Sequence, residues 1–110
     1  MDFQLSAEHR MVQQLVREFA EKEVAPRIQE LDEKGEWDVS TLKQMGELGI
    51  LGLCFPEAYG GGGLDYISLA VACEELERVD TSLRVVLSVH IGLCGLGIYQ
   101  WGTEAQKQKY

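Results

Sequence analysis

Three polar residues near the start of an apolar segment are the best candidates for chemistry in this sequence. Arg84 and Ser88 are four residues apart, and His90 follows two residues later. In a helix, positions i and i+4 share a face. A guanidinium on an apolar helix must either reach water along its aliphatic stem or meet an anion. Two interpretations are therefore open: Arg84 reaches solvent or pairs with Glu77, or this face lines a binding pocket.

Other groups that could act as acids, bases or metal ligands do not form a recognisable site. Glu74 and Glu75 are adjacent, and helix neighbours point about 100° apart, so they are not a facing acid–base pair. We expect both to be solvated, one of them at an interdomain contact, and we expect His9 to be a surface residue in a first helical turn. No histidine pair has metal-ligand spacing, and no serine or cysteine has a base at a recognisable offset. The sequence thus predicts neither a catalytic residue nor a metal site in this chain.

Four consecutive glycines at positions 60–63 raise the question of a phosphate-binding loop. A P-loop needs Lys-Ser or Lys-Thr directly after its glycines, whereas here Leu64 and Asp65 follow. A dinucleotide fingerprint needs different glycine spacing within a βαβ unit. Asp65 also places a negative charge where an anion would bind. The run is therefore predicted to be a turn between helices.

Composition places the chain among globular domains and limits its partners. It has 110 residues, 45% of them hydrophobic, which excludes a disordered chain. Ten basic and eighteen acidic residues give a net charge of −8, which argues against nucleic acid and anionic membrane surfaces. Three cysteines without C-x-x-C spacing indicate buried thiols in a reducing compartment. No secretory signal or transit peptide is visible at the start.

The dominant hydrophobic period is helical, which predicts an all-α bundle of about five or six helices. Expected boundaries follow from caps and breakers: Ser6 as a first cap, a stop or restart at Pro26, ends at Gly35 and Gly49, and caps at Asp38 or Ser40, Asp65, Asp80 and Thr103. Residues 85–99 are apolar nearly all round, so we expect a helix buried on most sides. A membrane span is not expected, because this run is shorter than the roughly twenty residues required.

Several motifs together resemble the N-terminal domain of acyl-CoA dehydrogenases. They are DFQLSAEHRMVQQLVREFAEKEVAP, FPEAYGGGGLD, ACEELERVDTSL, LSVHIGL and YQWGTEAQKQKY, in the family's order and spacing. The resemblance covers essentially the whole chain. It implies that residues 1–110 are the helical first domain of a longer, truncated enzyme, whose β-barrel-like middle domain and C-terminal helical domain are absent.

The resemblance also implies an activity that this chain cannot perform alone. Such enzymes use FAD to oxidise the α,β bond of an acyl-CoA thioester and pass the electrons to an electron-transferring flavoprotein. The base and most flavin contacts belong to the missing domains, so the isolated piece should be inactive. The full-length enzyme is expected to be a homotetramer in the bacterial cytoplasm or the mitochondrial matrix.

In this family, the helix matching Asp80–Leu93 runs beside the acyl chain. The resemblance therefore implies substrate-binding roles for Arg84, Ser88 and His90. An arginine at position 84 binds the terminal carboxylate of the substrate in glutaryl-CoA-type members. Val85 departs from that type, which has a small polar residue there, so a short or branched acyl group is at least as good a prediction.

Two other classes of function share these sequence features. One is the helical domain of an acyl-CoA oxidase or a related flavin monooxygenase. The other is a stand-alone helical interaction module, which the chain length and the absence of catalytic groups favour. An enzyme domain predicts exposed apolar surface on the last helices, because partner domains would normally cover it.

Overall fold

The computed structural model describes residues 2–110, and within this range it contains helices and turns but no strand. Its α-helices are α1 (Ala7–Phe19), α2 (Ala25–Lys34), α3 (Val39–Glu47), α4 (Tyr66–Glu77), α5 (Thr81–Val89), α6 (Leu96–Trp101) and α7 (Glu104–Lys109). A π-helical turn, Ala20–Val24, joins α1 to α2, and a second, His90–Gly95, joins α5 to α6. The described chain thus has five continuous helices, over residues 7–34, 39–47, 66–77, 81–101 and 104–109, and two short 3-10 helices, Ile50–Gly52 and Glu57–Tyr59, between the second and third of them. This confirms the predicted all-α fold.

Side-chain caps begin the continuous helices where the sequence predicted them. The caps of α1, α3, α4, α5 and α7 are Ser6, Asp38, Asp65, Asp80 and Thr103, and each side-chain oxygen accepts a backbone N–H of the first turn. These bonds satisfy donors that have no partner inside a helix. Helix starts are therefore encoded locally in this sequence.

The predicted break at Pro26 is wrong, because the chain stays helical from α1 into α2. Ala25 has φ −51° and ψ −41°, which is helical, although it precedes a proline. The π-helical turn before it changes the backbone pairing, and Ala25 N–H donates to the carbonyl of Ala20, five residues back. Pro26 then stands in the first turn of α2, where a missing N–H is tolerated. The wider turn thus accommodates the proline without ending the helix.

The hydrophobic core is formed where α1 packs on α4 and α4 packs on α5. Fully buried side chains come from most elements of the fold, namely Val16, Met45, Ile50, Leu76, Leu87 and Ile91. Burying each such side chain stabilises the fold by about 1.5–3 kcal/mol relative to exposure. The core therefore lies among α1, α4 and α5, and Met45 of α3 and Ile50 add to it.

Glu75, which we expected to be solvated or to contact another domain, is instead buried at the interface of α1 and α4. Only 2% of its side chain is exposed. Its carboxylate accepts two hydrogen bonds from Arg17, at 2.7 and 2.9 Å, and one from Arg78 at 2.8 Å. The Arg17 hydrogen bond lowers the pKa of Glu75 against the opposing effect of desolvation. The ion pair compensates for the buried charge and fixes α1 against α4.

His9 is also buried, contrary to the expectation of a surface residue. It is 9% exposed, and its Nε2 lies 2.9 Å from Oδ2 of Asp65, the cap of α4. Asp65 is 56 residues away in sequence, so nothing local to His9 indicated this contact.

The glycine run forms the predicted turn between the helical regions before and after it. The N–H groups of all four glycines donate to carbonyl oxygens of this chain at 2.8–3.1 Å: Gly60 to Glu57, Gly61 to Pro56, Gly62 to Gly52 and Gly63 to Phe55. Gly60 and Gly63 have φ of +83° and +64°, a region that favours glycine. Because these donors are already used, the turn offers no cradle for a phosphate.

Replacing Gly61 with alanine should destabilise the full-length protein strongly. A Cβ there would lie 2.1 Å from the carbonyl oxygen of Phe55, so the backbone would have to move. We expect a loss of about 2 kcal/mol or more in the free energy of unfolding for Gly61→Ala, and about 1 kcal/mol for Gly60→Ala because of its positive φ. Urea unfolding measures both.

Gly46→Ala in α3 is the matched control, because the nearest atom to the added carbon is 3.9 Å away. It should stabilise the protein by about 0.5–1 kcal/mol through helix propensity. If Gly61→Ala unfolds like the wild type while acyl-CoA or cofactor affinity collapses, the glycine run is a binding loop after all.

Candidate functional site

The candidate site is built on the continuous helix over residues 81–101, which α5, the second π-helical turn and α6 form together. Asp80 caps its start by accepting the N–H groups of Ser82 and Leu83. Leu83, Leu87 and Ile91 face the core at four-residue spacing. The opposite face is therefore free to contact a ligand or another part of the protein.

Arg84 lies on this helix in an ion pair with α4. Its Nε donates to Oε2 of Glu77 at 2.5 Å, and Oε1 of Glu77 accepts from the Thr81 hydroxyl at 2.9 Å. These hydrogen bonds, that of Arg84 first, lower the pKa of Glu77. A third of the Arg84 side chain is exposed. Within residues 2–110, the two terminal nitrogens of its guanidinium have no hydrogen-bond partner, so they can still bind a carboxylate.

Ser88 lies one helical turn beyond Arg84 and is half-buried. Its hydroxyl donates to the carbonyl of Val85 at 3.1 Å. The donor is therefore used by the helix itself, and the hydroxyl oxygen is left as an acceptor. Arg84 and Ser88 occupy the same segment, as their spacing predicted.

His90 lies apart from that pair, in a cleft of about 280 Å³ between the helix and the segment before the glycine turn. Aromatic side chains form part of its lining, Phe55, Tyr59 and Tyr99 among them. Tyr99 lies 6.3 Å from Phe55 and 6.2 Å from Tyr59 between ring centroids. The three predicted residues thus do not form one cluster.

The aromatic residues of this cleft were missed by the sequence analysis. Tyr59 donates to the Glu104 carboxylate at 2.9 Å, and this hydrogen bond raises the pKa of Tyr59. One signal could have revealed the cleft: Gly95 is one of three glycines, with Gly92 and Gly97, in a short apolar part of the helix. A Cβ at Gly95 would lie 2.3 Å from Cζ of Phe55, so the glycine permits the close approach of the ring.

An apolar stripe runs along the exposed face of the helix. Val85 and Val89 are each 40% exposed and Leu93 is 72% exposed, at i, i+4 and i+8. The expectation that residues 85–99 are buried on most sides is therefore wrong for this chain. The exposed apolar surface predicted for an enzyme domain is present.

The prediction that the apolar segment is too short to span a membrane is wrong, because the helix extends over residues 81–101. It has 21 residues, is long and apolar enough to cross a membrane, and has 17% of its most apolar window buried. The evidence for a span is weak, because a helix that other parts of a larger protein cover would pass the same test. Length therefore does not distinguish the two situations.

Comparison with known proteins assigns these features to a family. Residues 6–110 match the family model described as "Acyl-CoA dehydrogenase, N-terminal domain". This chain belongs to the acyl-CoA dehydrogenase N-terminal domain family.

Two relatives illustrate the similarity in sequence. The short-chain specific acyl-CoA dehydrogenase of Clostridium acetobutylicum is 46% identical over the whole chain, which covers 29% of that relative. The mitochondrial short-chain specific enzyme of Rattus norvegicus is 39% identical over 97% of the chain, covering 26% of that relative. The chain thus spans less than a third of the relatives that it matches.

Three solved structures share the fold. A chain in the structure of the electron transferring flavoprotein of Acidaminococcus fermentans has a TM-score of 0.97 and 47% identity, over all of this chain and 29% of that one. Glutaryl-coenzyme A dehydrogenase in complex with glutaryl-CoA has a TM-score of 0.92 and 39% identity, over 100% of this chain and 29% of that one. Acyl-CoA dehydrogenase of Bacillus anthracis complexed with FAD has a TM-score of 0.87 and 40% identity, over 96% of this chain and 18% of that one.

Thiol labelling should reveal whether other parts of the protein cover the cleft of His90, which Cys94 also lines. Cys94 is exposed, whereas Cys54 and Cys73 are half-buried, and burial raises their pKa values. In the isolated chain, Cys94 should react with N-ethylmaleimide at least about tenfold faster than the other two, because it is exposed and because the raised pKa values of Cys54 and Cys73 reduce the thiolate fractions of those two thiols. Mass spectrometry of the labelled peptides measures the three rates.

In the full-length protein, Cys94 labelling should slow while the rates at Cys54 and Cys73 stay nearly the same, which makes these two thiols the internal control. Equal Cys94 rates in both forms would mean that the cleft stays open to solvent.

Proposed function

We propose that residues 1–110 are the N-terminal helical domain of an FAD-dependent acyl-CoA dehydrogenase that oxidises the α,β bond of an acyl-CoA thioester. The match of residues 6–110 to the family model is the observation that carries this proposal. The domain contributes a wall of the acyl cavity. The base that removes the α proton would lie in the middle or C-terminal domain, and we assign no catalytic residue to this chain.

The described residues do not fit the phosphates of FAD. The four glycine N–H groups of the turn are used within the chain, and the net charge of −8 disfavours a polyanion. FAD, which the Bacillus anthracis relative contains, therefore binds to the remaining domains in this proposal. In this proposal the chain contributes apolar side chains and the Arg84 guanidinium to the surroundings of the substrate.

The exposed stripe and Arg84 account for substrate preference. Val85, Val89 and Leu93 would pack against the apolar acyl tail, which removes both surfaces from water. Arg84 directly precedes this stripe and would meet a tail that extends toward the start of the helix. Placing an alkyl chain against a charged guanidinium desolvates it without compensation. The arrangement therefore favours short acyl groups, in line with the short-chain relatives.

A substrate with a terminal carboxylate is the second candidate. The free terminal nitrogens of Arg84 favour it, because a guanidinium binds a carboxylate through two parallel hydrogen bonds. A relative with 39% identity is a glutaryl-CoA complex. Ser88 could accept a hydrogen bond in the same segment, and His90 would contribute through the aromatic cleft.

The proposed partner for electron transfer is an electron-transferring flavoprotein, which the match to a chain of the Acidaminococcus fermentans structure supports. The full-length enzyme is proposed to be a homotetramer. Its compartment would be that of its relatives, a bacterial cytoplasm or the mitochondrial matrix.

Arg84→Met in the full-length enzyme should shift preference toward longer unsubstituted acyl-CoAs. Removing the charge relieves the desolvation of the guanidinium, so we expect the ratio of kcat/KM for octanoyl-CoA to that for butyryl-CoA to rise about tenfold or more. A series of acyl-CoA chain lengths and glutaryl-CoA, assayed with both proteins, measures the change.

Arg78→Met is the matched control, because this arginine pairs with Glu75 and does not lie on the site helix. It should lower stability without changing the profile. Identical chain-length profiles for wild type and Arg84→Met would contradict the pocket role and leave Arg84 as a surface partner of Glu77.

The isolated chain of 110 residues should be colourless and inactive toward any acyl-CoA, because the flavin contacts lie elsewhere. Gel filtration with detection of visible absorbance tests this. A flavin spectrum that co-elutes with the chain would mean that this domain carries much of the cofactor site.

A further inference from the structure

His9 makes hydrogen bonds with both of its ring nitrogens, and these bonds determine where its proton lies. The backbone N–H of Ser6, the cap of α1, points to Nδ1 at 3.2 Å. A backbone N–H can only donate, so Nδ1 must accept and carries no proton. In the neutral ring, the proton is therefore on Nε2. A protonated imidazolium ring would also carry a proton on Nδ1, and this N–H donor would then face the N–H donor of Ser6 without an acceptor between them.

The proton on Nε2 is directed at the cap of another helix. Nε2 lies 2.9 Å from Oδ2 and 3.1 Å from Oδ1 of Asp65. The same Oδ1 accepts the backbone N–H of Ser68 at 2.9 Å and its hydroxyl at 3.0 Å. The pKa of Asp65 is lowered to about 2, the His9 hydrogen bond being the largest cause. Asp65 is therefore an ionised acceptor shared between the ring and the first turn of α4.

The contact reaches the glycine turn as well. The carbonyl of Asp65 accepts the Cys54 thiol at 3.4 Å, and the N–H of Leu64 donates to the carbonyl of Leu53 at 2.9 Å. Asp65 thus lies where α4, the glycine turn and the segment before the turn meet.

We propose that neutral His9, with its proton on Nε2, is an interlock that couples the first turn of α1 to the first turn of α4, so that the two helix starts open together. The coupling follows from the shared groups. Freeing Asp65 would leave the ring proton unsatisfied in a site that is 9% exposed, and freeing Ser6 would let the ring turn away from Asp65.

Two other helix caps in the same chain lack this connection. In α7, Thr103 and Gln106 form a reciprocal cap within one turn. Asp80 caps α5 through Ser82 and Leu83 alone. His9 takes the place that Gln106 has in α7, and its ring also reaches the second helix. The interlock is thus an addition to an ordinary capping arrangement.

Hydrogen exchange of the full-length protein, followed by mass spectrometry, tests the coupling. Asp65→Ser keeps an oxygen for the N–H of Ser68 but removes the acceptor for the imidazole. We expect exchange at His9 and Arg10 in α1 to become roughly fivefold faster, although no residue of α1 is changed. His9→Ala should in turn accelerate exchange at Ser68 and Leu69 by a similar factor.

Asp80→Ser is the matched control, because it makes the same change at a cap without a connection. It should accelerate exchange at the start of α5 alone. Protection of residues 12–19, in the remainder of α1, reports that each variant is folded. If His9→Ala does not fold, His9→Glu keeps a side-chain acceptor for the N–H of Ser6 but has no proton to donate to Asp65, and it should accelerate exchange at Ser68 and Leu69 in the same way.

The proposal would be overturned if Asp65→Ser accelerated exchange in α4 and left His9 and Arg10 at the wild-type rate. It would also be overturned if Asp80→Ser accelerated the start of α1 equally, since the effect would then be a general loss of stability.

Discussion

The buried carboxylate of Glu75 is the constraint on which the arrangement of the other helices depends. An ionised group with 2% exposure is tolerated only with close compensation, and Arg17 provides it through two parallel hydrogen bonds. Both of these hydrogen bonds can form together in only one relative position of α1 and α4. The relative position of α1 and α4 is thus fixed by these directional hydrogen bonds as well as by hydrophobic contact. Hydrophobic contact alone would allow the two helices to slide along each other.

The position of α4 then determines what the candidate site presents. Glu77 lies two residues after Glu75 on a different side of the helix, where it meets Arg84 of α5. This pair holds the guanidinium by one nitrogen at the start of the apolar stripe. The specificity proposed for the enzyme therefore depends on two separate ion pairs of α4, one with α1 in the core and one with α5 at the exposed face.

Local features of the fold could be predicted from the sequence, whereas distant pairings could not. Caps such as Asp65 and the positive φ at Gly60 follow from chemistry within a few residues. His9 and Glu75 were misplaced because their partners Asp65 and Arg17 are 56 and 58 residues away. At the site, the shared segment of Arg84 and Ser88 followed from helical spacing. The separate cleft of His90 depends on the approach of Phe55 to Gly95, and the glycine alone does not indicate which distant residue approaches it. The apolar composition of residues 85–99 suggested burial, but within the described chain Val85, Val89 and Leu93 are exposed.

Because Gly95 contacts Phe55, positions along this one helix differ greatly in how well they tolerate a change of side chain. A side chain at position 95 would collide with an aromatic ring, whereas the positions of Val85, Val89 and Leu93 are open on their outer side. Changes of volume or polarity at these three positions can therefore remodel the proposed cavity while the helix stays seated on the core. A scaffold with this division lets evolution, or an engineer, alter substrate choice through a few side chains without having to redesign the domain.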